Sequence, residues 1–163
     1  MRAIPLVPAV FGLSVLVIGG ALIFEYGIGL VPCELCLLER WPWYAAIALS
    51  ALALALRQPG LTRAAVLLFL VLFAASSGLA FYHVGVEQHV FAGPTACTAA
   101  PLGGHSAEDL LKSLQATPVV RCDEPQWSLF GISLAGWNLV ASLVMLALCW
   151  FGRRRPSTAE AAA

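Results

Sequence analysis

The chain has 163 residues, with nine basic and nine acidic side chains and a formal net charge of zero. Hydrophobic residues make up 60%, charged residues 11%, and the mean hydropathy is +0.86. Soluble domains carry about 25% charged residues. The composition therefore excludes an ordinary water-soluble domain, and the neutral balance offers no basic surface for nucleic acid. The expected class is a membrane protein with a single domain over residues 1–155 and a disordered tail at 156–163.

Four apolar runs, at 8–24, 37–56, 64–82 and 132–151, each approach the ~20 residues that a helix needs to cross a bilayer. They predict helices at about 8–26, 34–56, 64–82 and 131–151. The first run follows Arg2 as a signal peptide would, but no small-residue cleavage site precedes Glu25, so it is read as a retained helix. Its Gly12, Gly19, Gly20 and Ala21 are close-packing positions.

The second run opens with Pro32-Cys33-Glu34-Leu35-Cys36-Leu37-Leu38-Glu39-Arg40-Trp41. In a helix starting near Cys33, the residues Cys33, Cys36, Arg40 and Trp43 fall along one face. Cys36 and Arg40 are an i, i+4 pair, and both a helix N-terminus and a guanidinium favour a thiolate. The same stretch is also compatible with an inert disulfide, half of a zinc site, or an arginine anchoring a helix at the membrane surface. Pro42 falls in the first turns of this helix and is tolerated in membrane helices. Residues 57–63, with Pro59-Gly60, read as a compact turn.

The third helix carries Ser76-Ser77-Gly78 as close-packing positions, with His83 and His89 following near its outer end. A histidine there is read first as an interfacial side chain, with proton transfer open to it. Residues 84–130 form one long polar loop containing Cys97 and Cys122. Within it, residues 106–114 read as a short amphipathic helix capped by Ser106, with Asp109 at the capping-box position, resting on the bilayer surface. Trp127 and Trp137 sit where an aromatic belt is expected. Cys149, at the far end of the fourth helix, reads as a buried small residue.

With both termini inside, Arg2, Arg57, Arg63, Arg153, Arg154 and Arg155 face the cytoplasm and only Arg40, Lys112 and Arg121 lie outside, as the positive-inside rule requires. Cys33, Cys36, Cys97 and Cys122 then share a compartment where disulfides persist. Three classes of function are open: dithiol exchange, a four-cysteine zinc site, or a scaffold stapled by disulfides. The zinc reading lacks a second closely spaced pair. The scaffold gives no reason for a cysteine pair in a membrane helix beside Arg40, whose charge calls for a partner. A redox enzyme accounts for both pairs and the arginine together, although four cysteines allow three pairings.

The order of the spans, Cys33-Glu34-Leu35-Cys36 followed by Glu39-Arg40, the segment Pro94-Thr95-Ala96-Cys97 and the segment Cys122-Asp123-Glu124-Pro125-Gln126-Trp127 resemble the disulfide bond formation protein B (DsbB) family. The resemblance runs from Pro8 to Trp150. It implies an all-α membrane protein, a four-transmembrane-helix bundle whose long periplasmic loop carries the short interfacial helix. It also implies a bacterial inner-membrane enzyme that reoxidises a DsbA-like periplasmic thioredoxin-fold protein and passes the electrons to a quinone, either ubiquinone or menaquinone, with no metal.

Carried over by position, Cys97 is the cysteine attacked by the partner and Cys122 its loop mate. Cys33 exchanges with the loop pair, Cys36 is the thiolate beside the quinone, and Arg40 is the quinone-associated arginine. Glu34, between the two cysteines, departs from an environment that favours thiolate, and Cys149 has no role in the pattern. The four-helix vitamin K epoxide reductase family places its CxxC in the last helix, whereas here the motif opens the second.

Overall fold

The computed structural model describes residues 6–94 and 120–152. Cys97, the 106–114 helix with Ser106, Asp109 and Lys112, Arg2, the arginines at 153–155 and the tail at 156–163 lie outside the described residues. Four long helices make up most of the described chain: α1 (Leu6–Leu22), α2 (Glu34–Leu56), α3 (Pro59–Glu87) and α4 (Leu134–Gly152). By length and composition α1 with its continuation to Gly27, α3 and α4 are able to cross a membrane. The protein is thus a mostly helical chain of membrane type. The fourth long helix, α2, places Glu34, Glu39 and Arg40 in its first two turns.

Helix α1 passes into a π-helical turn, Ile23–Gly27, in which the Ile28 N–H reaches the Ile23 carbonyl at 3.1 Å. Such a widened turn re-aims the side chains that follow it, and here it turns Glu25 inward. Gly29, at φ 83°, supplies the left-handed residue that returns the chain toward α2. Cys33 is the N-cap of α2, extended at φ −73° and ψ 170°, and its Sγ accepts the Cys36 backbone N–H at 3.2 Å.

The connection between α2 and α3 is shorter than the sequence predicts. Arg57, left-handed at φ 51°, ends α2, and only Gln58 separates it from Pro59 at the first position of α3. Proline has no N–H to lose at a helix start and its φ is already helical, so the breaker pair Pro59-Gly60 opens the helix rather than making a turn. At its other end α3 continues five residues beyond Tyr82 to Glu87, so the long loop begins near Gln88 instead of 84. His83 is consequently a helical residue.

The fourth helix also starts later than expected, at Leu134. A small antiparallel hairpin, β1 (Ser128–Leu129) with β2 (Ile132–Ser133), precedes it. Phe130 and Gly131, at φ 54° and 78°, form the two-residue turn that such a hairpin demands. Ser133 Oγ accepts the Gly136 N–H at 3.0 Å, capping α4, and donates to Glu87 Oε2 at 2.5 Å, tying this end of α4 to the end of α3.

Helix α3 packs on α4, α2 on α3 and α1 on α2. Trp43, Phe69, Phe73, Met145 and Cys149 form the centre of the main core, and Cys149 is fully buried there as a small apolar residue. Ser76 and Ser142 face each other between α3 and α4 at 2.8 Å, while Ser77 Oγ donates to the Phe73 carbonyl. Leucines and valines such as Leu16, Leu67 and Val71 cover the outside, the pattern of helices whose solvent is lipid.

Candidate functional site

The N-terminal end of α2, the C-terminal end of α3, the N-terminal end of α4 and the π turn after α1 meet at one end of the bundle. They enclose a cavity of about 360 Å³, within the size range of small-molecule sites. Val17, Ile18, Ala21, Phe24, Trp43 and Ala141 give it an apolar wall, and Arg40, Glu39, His83 and Asn138 place polar atoms on it. Cys33, Cys36, Arg40 and Trp43, the stripe read from the sequence, all line this one cavity.

The two cysteines are thiols at the cavity wall, Cys33 buried and Cys36 half-buried, with their sulfurs 2.8 Å apart. Cys33 Sγ also lies 3.6 Å from His83 Nε2. His83 is 2% exposed, and its Nδ1 is 2.8 Å from Glu39 Oε1. Glu39 Oε2 accepts from Asn138 Nδ2 at 2.7 Å, and Asn138 Oδ1 accepts from Trp43 Nε1 at 2.9 Å. The buried chain therefore runs Trp43, Asn138, Glu39, His83, Cys33, Cys36, drawn from α2, α3 and α4.

Its polarity is fixed from the tryptophan end. An indole N–H can only donate, so the Asn138 oxygen must face it and the amide nitrogen must face Glu39. A carboxylate that accepts from this amide on one oxygen accepts the histidine N–H on the other. When His83 is neutral, its Nδ1 proton is committed to Glu39, which leaves Nε2 as an acceptor aimed at the Cys33 sulfur. This nucleophile, base and orienting carboxylate have the mutual placement of a general-base triad.

Arg40 has the partner that a charge in this position calls for. Its Nη1 donates to Glu25 Oε2 at 2.5 Å, with both side chains largely buried, so its charge is balanced by the acid that the π turn delivers. Nearer the surface, Trp127 packs on Phe24 with ring centroids 4.7 Å apart and, like Trp137, lines the cavity, so neither serves only as a belt residue. Arg121 holds Asp123 through two hydrogen bonds, at 3.0 and 2.6 Å, and pairs with Glu124 at 3.5 Å. That guanidinium keeps the Asp123 carboxyl below the usual carboxylate range.

Of the four cysteines assigned from the sequence, three are brought together. Cys122 is buried in the same small cluster as Cys33, with Leu35 and Val86; Cys97 lies outside the described residues. The reading of His83 as an interfacial side chain is corrected, because the extension of α3 carries it into the core. Glu25, Glu39 and Asn138 were not given roles from the sequence. A signal existed: an ionisable or amide residue inside a membrane-type helix costs energy unless it has a partner, so such a residue marks a site by default.

The family model for disulfide bond formation protein DsbB matches residues 4–152. An uncharacterised protein of Rickettsia prowazekii is 29% identical over 136 residues, covering 82% of this chain and 78% of its own. Disulfide bond formation protein B of Aromatoleum aromaticum is 29% identical over 147 residues, covering 85% and 86%. Its namesake in Actinobacillus pleuropneumoniae is 30% identical over 148 residues, covering 83% and 80%. With a match over nearly its whole length and a buried dithiol at the end of a helical bundle, the chain belongs to the DsbB family.

Proposed function

We propose that this protein is a disulfide:quinone oxidoreductase of the bacterial inner membrane that reoxidises a DsbA-like periplasmic thioredoxin-fold dithiol oxidase. The observation that carries the reading is the Cys33/Cys36 pair, backed by the His83–Glu39 base, on the wall of an apolar cavity between membrane-type helices. In this reading all four long helices cross the membrane, both termini are cytoplasmic and the cysteine pairs are periplasmic. At roughly 34 Å, from 23 residues at 1.5 Å each, α2 is long enough to span, and its charges are confined to the end that holds the site.

The exchange proceeds in balanced steps. A partner thiolate attacks a Cys97–Cys122 disulfide at Cys97, the partner's second thiolate then displaces Cys97, and the partner leaves oxidised with the loop pair reduced. A loop thiolate next attacks a Cys33–Cys36 disulfide, closing the loop disulfide again and leaving the Cys33/Cys36 dithiol. Burial of Cys122 beside Cys33 supports the short transfer distance this step requires. His83 Nε2 takes the Cys33 proton, and Glu39 stabilises the imidazolium so formed.

The cavity fits a quinone head: its walls are largely apolar and aromatic, and Arg40 on them is held in place by Glu25. A bound quinone supplies an acceptor for two electrons and two protons, the chemistry that returns the dithiol to a disulfide. Arg40 and Asn138 are the residues placed to orient such a ring, and Trp43, Phe24 and Trp127 to pack against it.

The test is turnover of the purified full-length protein with a reduced thioredoxin-fold oxidase and either ubiquinone or menaquinone, followed by quinone absorbance. Quinone reduction that stops in Cys33→Ser and Cys36→Ser, with both variants still inserted in the membrane, is the expected result. Undiminished turnover in either variant overturns the reading.

A further inference from the structure

The three donor atoms Cys33 Sγ, Cys36 Sγ and His83 Nε2 lie within 4.8 Å of one another, two of them buried and the third half-buried. We propose that the reduced form of this site binds one zinc-class divalent cation through these atoms, and that the bound ion holds the protein out of its redox cycle. This differs from the four-cysteine site considered from the sequence: the loop pair takes no part, and the third ligand is an imidazole from α3.

Four observations carry the proposal. The first is a distance. Two ligands on a tetrahedral ion, at about 2.3 Å for sulfur and about 2.05 Å for nitrogen, stand about 3.6 Å apart. Cys33 Sγ and His83 Nε2 are already separated by 3.6 Å. The two sulfurs need to move from 2.8 Å to about 3.8 Å, the corresponding sulfur to sulfur edge. Cys36, half-buried and on the cavity wall, is the ligand that would make that adjustment.

The second is the shell behind the ligands. Metal-binding histidines pass their other ring N–H to a carboxylate, which fixes the tautomer and strengthens the donor. His83 does so toward Glu39, and Glu39 is in turn held by Asn138. The third is charge. Exchanging two thiol protons for one divalent ion leaves the net charge of this buried site, the Glu39 carboxylate included, unchanged. The fourth is the open face: all three ligand residues line the cavity, so a fourth position is available to water. Soft thiolates with one imidazole select zinc-class ions over magnesium or calcium.

Binding exchanges two thiol protons for the ion and moves no electrons. A Cys33–Cys36 disulfide has no thiolate to offer, so the site exists only in the reduced state and the ion competes with reoxidation. The binding claim stands on the ligand geometry alone; only its effect on turnover rests on the exchange reading above, and the two are measured separately.

The experiment titrates Zn2+ into the full-length protein, reduced and freed of reductant, against a competing metallochromic indicator. One ion bound per chain with release of two protons is expected, together with loss of that ion on oxidation and in Cys36→Ser. Glu39→Gln should bind 10–100-fold more weakly, the usual effect of removing a ligand's supporting carboxylate. Because His83→Gln can destabilise the fold, Co2+ is used as a second probe in the unaltered protein. Tetrahedral d–d bands with thiolate charge transfer, persisting in the Cys97→Ser/Cys122→Ser double variant, support the site. Absence of stoichiometric binding, binding that survives oxidation of Cys33 and Cys36, or an ion that is lost with the loop cysteines overturns it. Should the ion bind while turnover proceeds undiminished, the regulatory half fails and the exchange reading is untouched.

Discussion

Trp43 and Asn138, 95 positions apart in the chain, meet through an indole N–H donated to an amide oxygen at 2.9 Å, and this single contact sets the direction of every hydrogen bond that leads to Cys33. Asn138→Leu should leave the Trp43 N–H and one Glu39 oxygen without partners. A loss of about 1–3 kcal/mol in stability is expected, with slower reaction of Cys33. Thermal unfolding and the rate of thiol alkylation in the same variant check it; stability lost with an unchanged alkylation rate would reduce Asn138 to a packing residue.

For His83 the expected outcome is kinetic. His83→Phe should slow thiol-disulfide exchange at Cys33 by about 10²–10⁴-fold, the range of a lost general base. The rate should then climb with rising pH as hydroxide takes over the task. Stopped-flow exchange across a pH series measures both effects, and a variant with the parent's pH profile contradicts the base assignment.

Arg40 and Glu25 form a largely buried pair, so removing either leaves a charge behind. Arg40→Ala should raise the quinone KM at least tenfold while the yield of mixed disulfide with the partner stays near that of the parent. Glu25→Gln should also alter the quinone KM, through an unbalanced guanidinium. Equal losses in quinone use and partner capture would remove Arg40 from the acceptor site.

Ser76 and Ser142 give a test of the bundle itself. Either serine replaced by alanine should cost about 1 kcal/mol, whereas the double replacement should cost less than the two singles together, because no hydroxyl is then left unpaired. Unfolding of the three variants in detergent measures the coupling.

The Arg121–Asp123 clip carries a pH dependence. Arg121 holds the Asp123 carboxyl below its unfolded value, so the contribution is fully present above the ordinary carboxylate pKa of about 3.9 and fades as pH falls through the lower, folded value. Amide hydrogen exchange over residues 121–124, divided by its intrinsic rate at each pH, should therefore be constant from neutral pH to about pH 5 and become faster only in stronger acid. Acceleration above pH 5 would point to a different group.

Much of this architecture was legible because lipid imposes simple rules: long apolar runs must be helices, and their lengths follow from bilayer thickness. Cys33, Cys36 and Arg40 were legible for a second reason, that thiols and a cation at the mouth of such a run need chemistry or a partner to justify them. The ends of α3 were not. Proline at a helix start and proline in a turn look alike in sequence, and the run through Val84, Val86 and Glu87 stays helical only because His83, Val86 and Glu87 find partners on other elements. Glu39 was in view as part of a motif, but its job depends on an amide almost a hundred residues away, which no local pattern reveals. The inward turn of Glu25 likewise depends on one extra residue in a helical turn, a backbone choice with no sequence signature.

Cys33 has two occupations that exclude each other. Its sulfur closes the open end of α2 by receiving the Cys36 amide, and in the exchange proposed above a bond from that sulfur to a loop cysteine competes with this cap. In that exchange each round is expected to loosen and reseal the first half turn of α2, where the cap sits. Deuterium uptake at the Cys36 amide becomes a clock for the redox cycle, ticking at one backbone position.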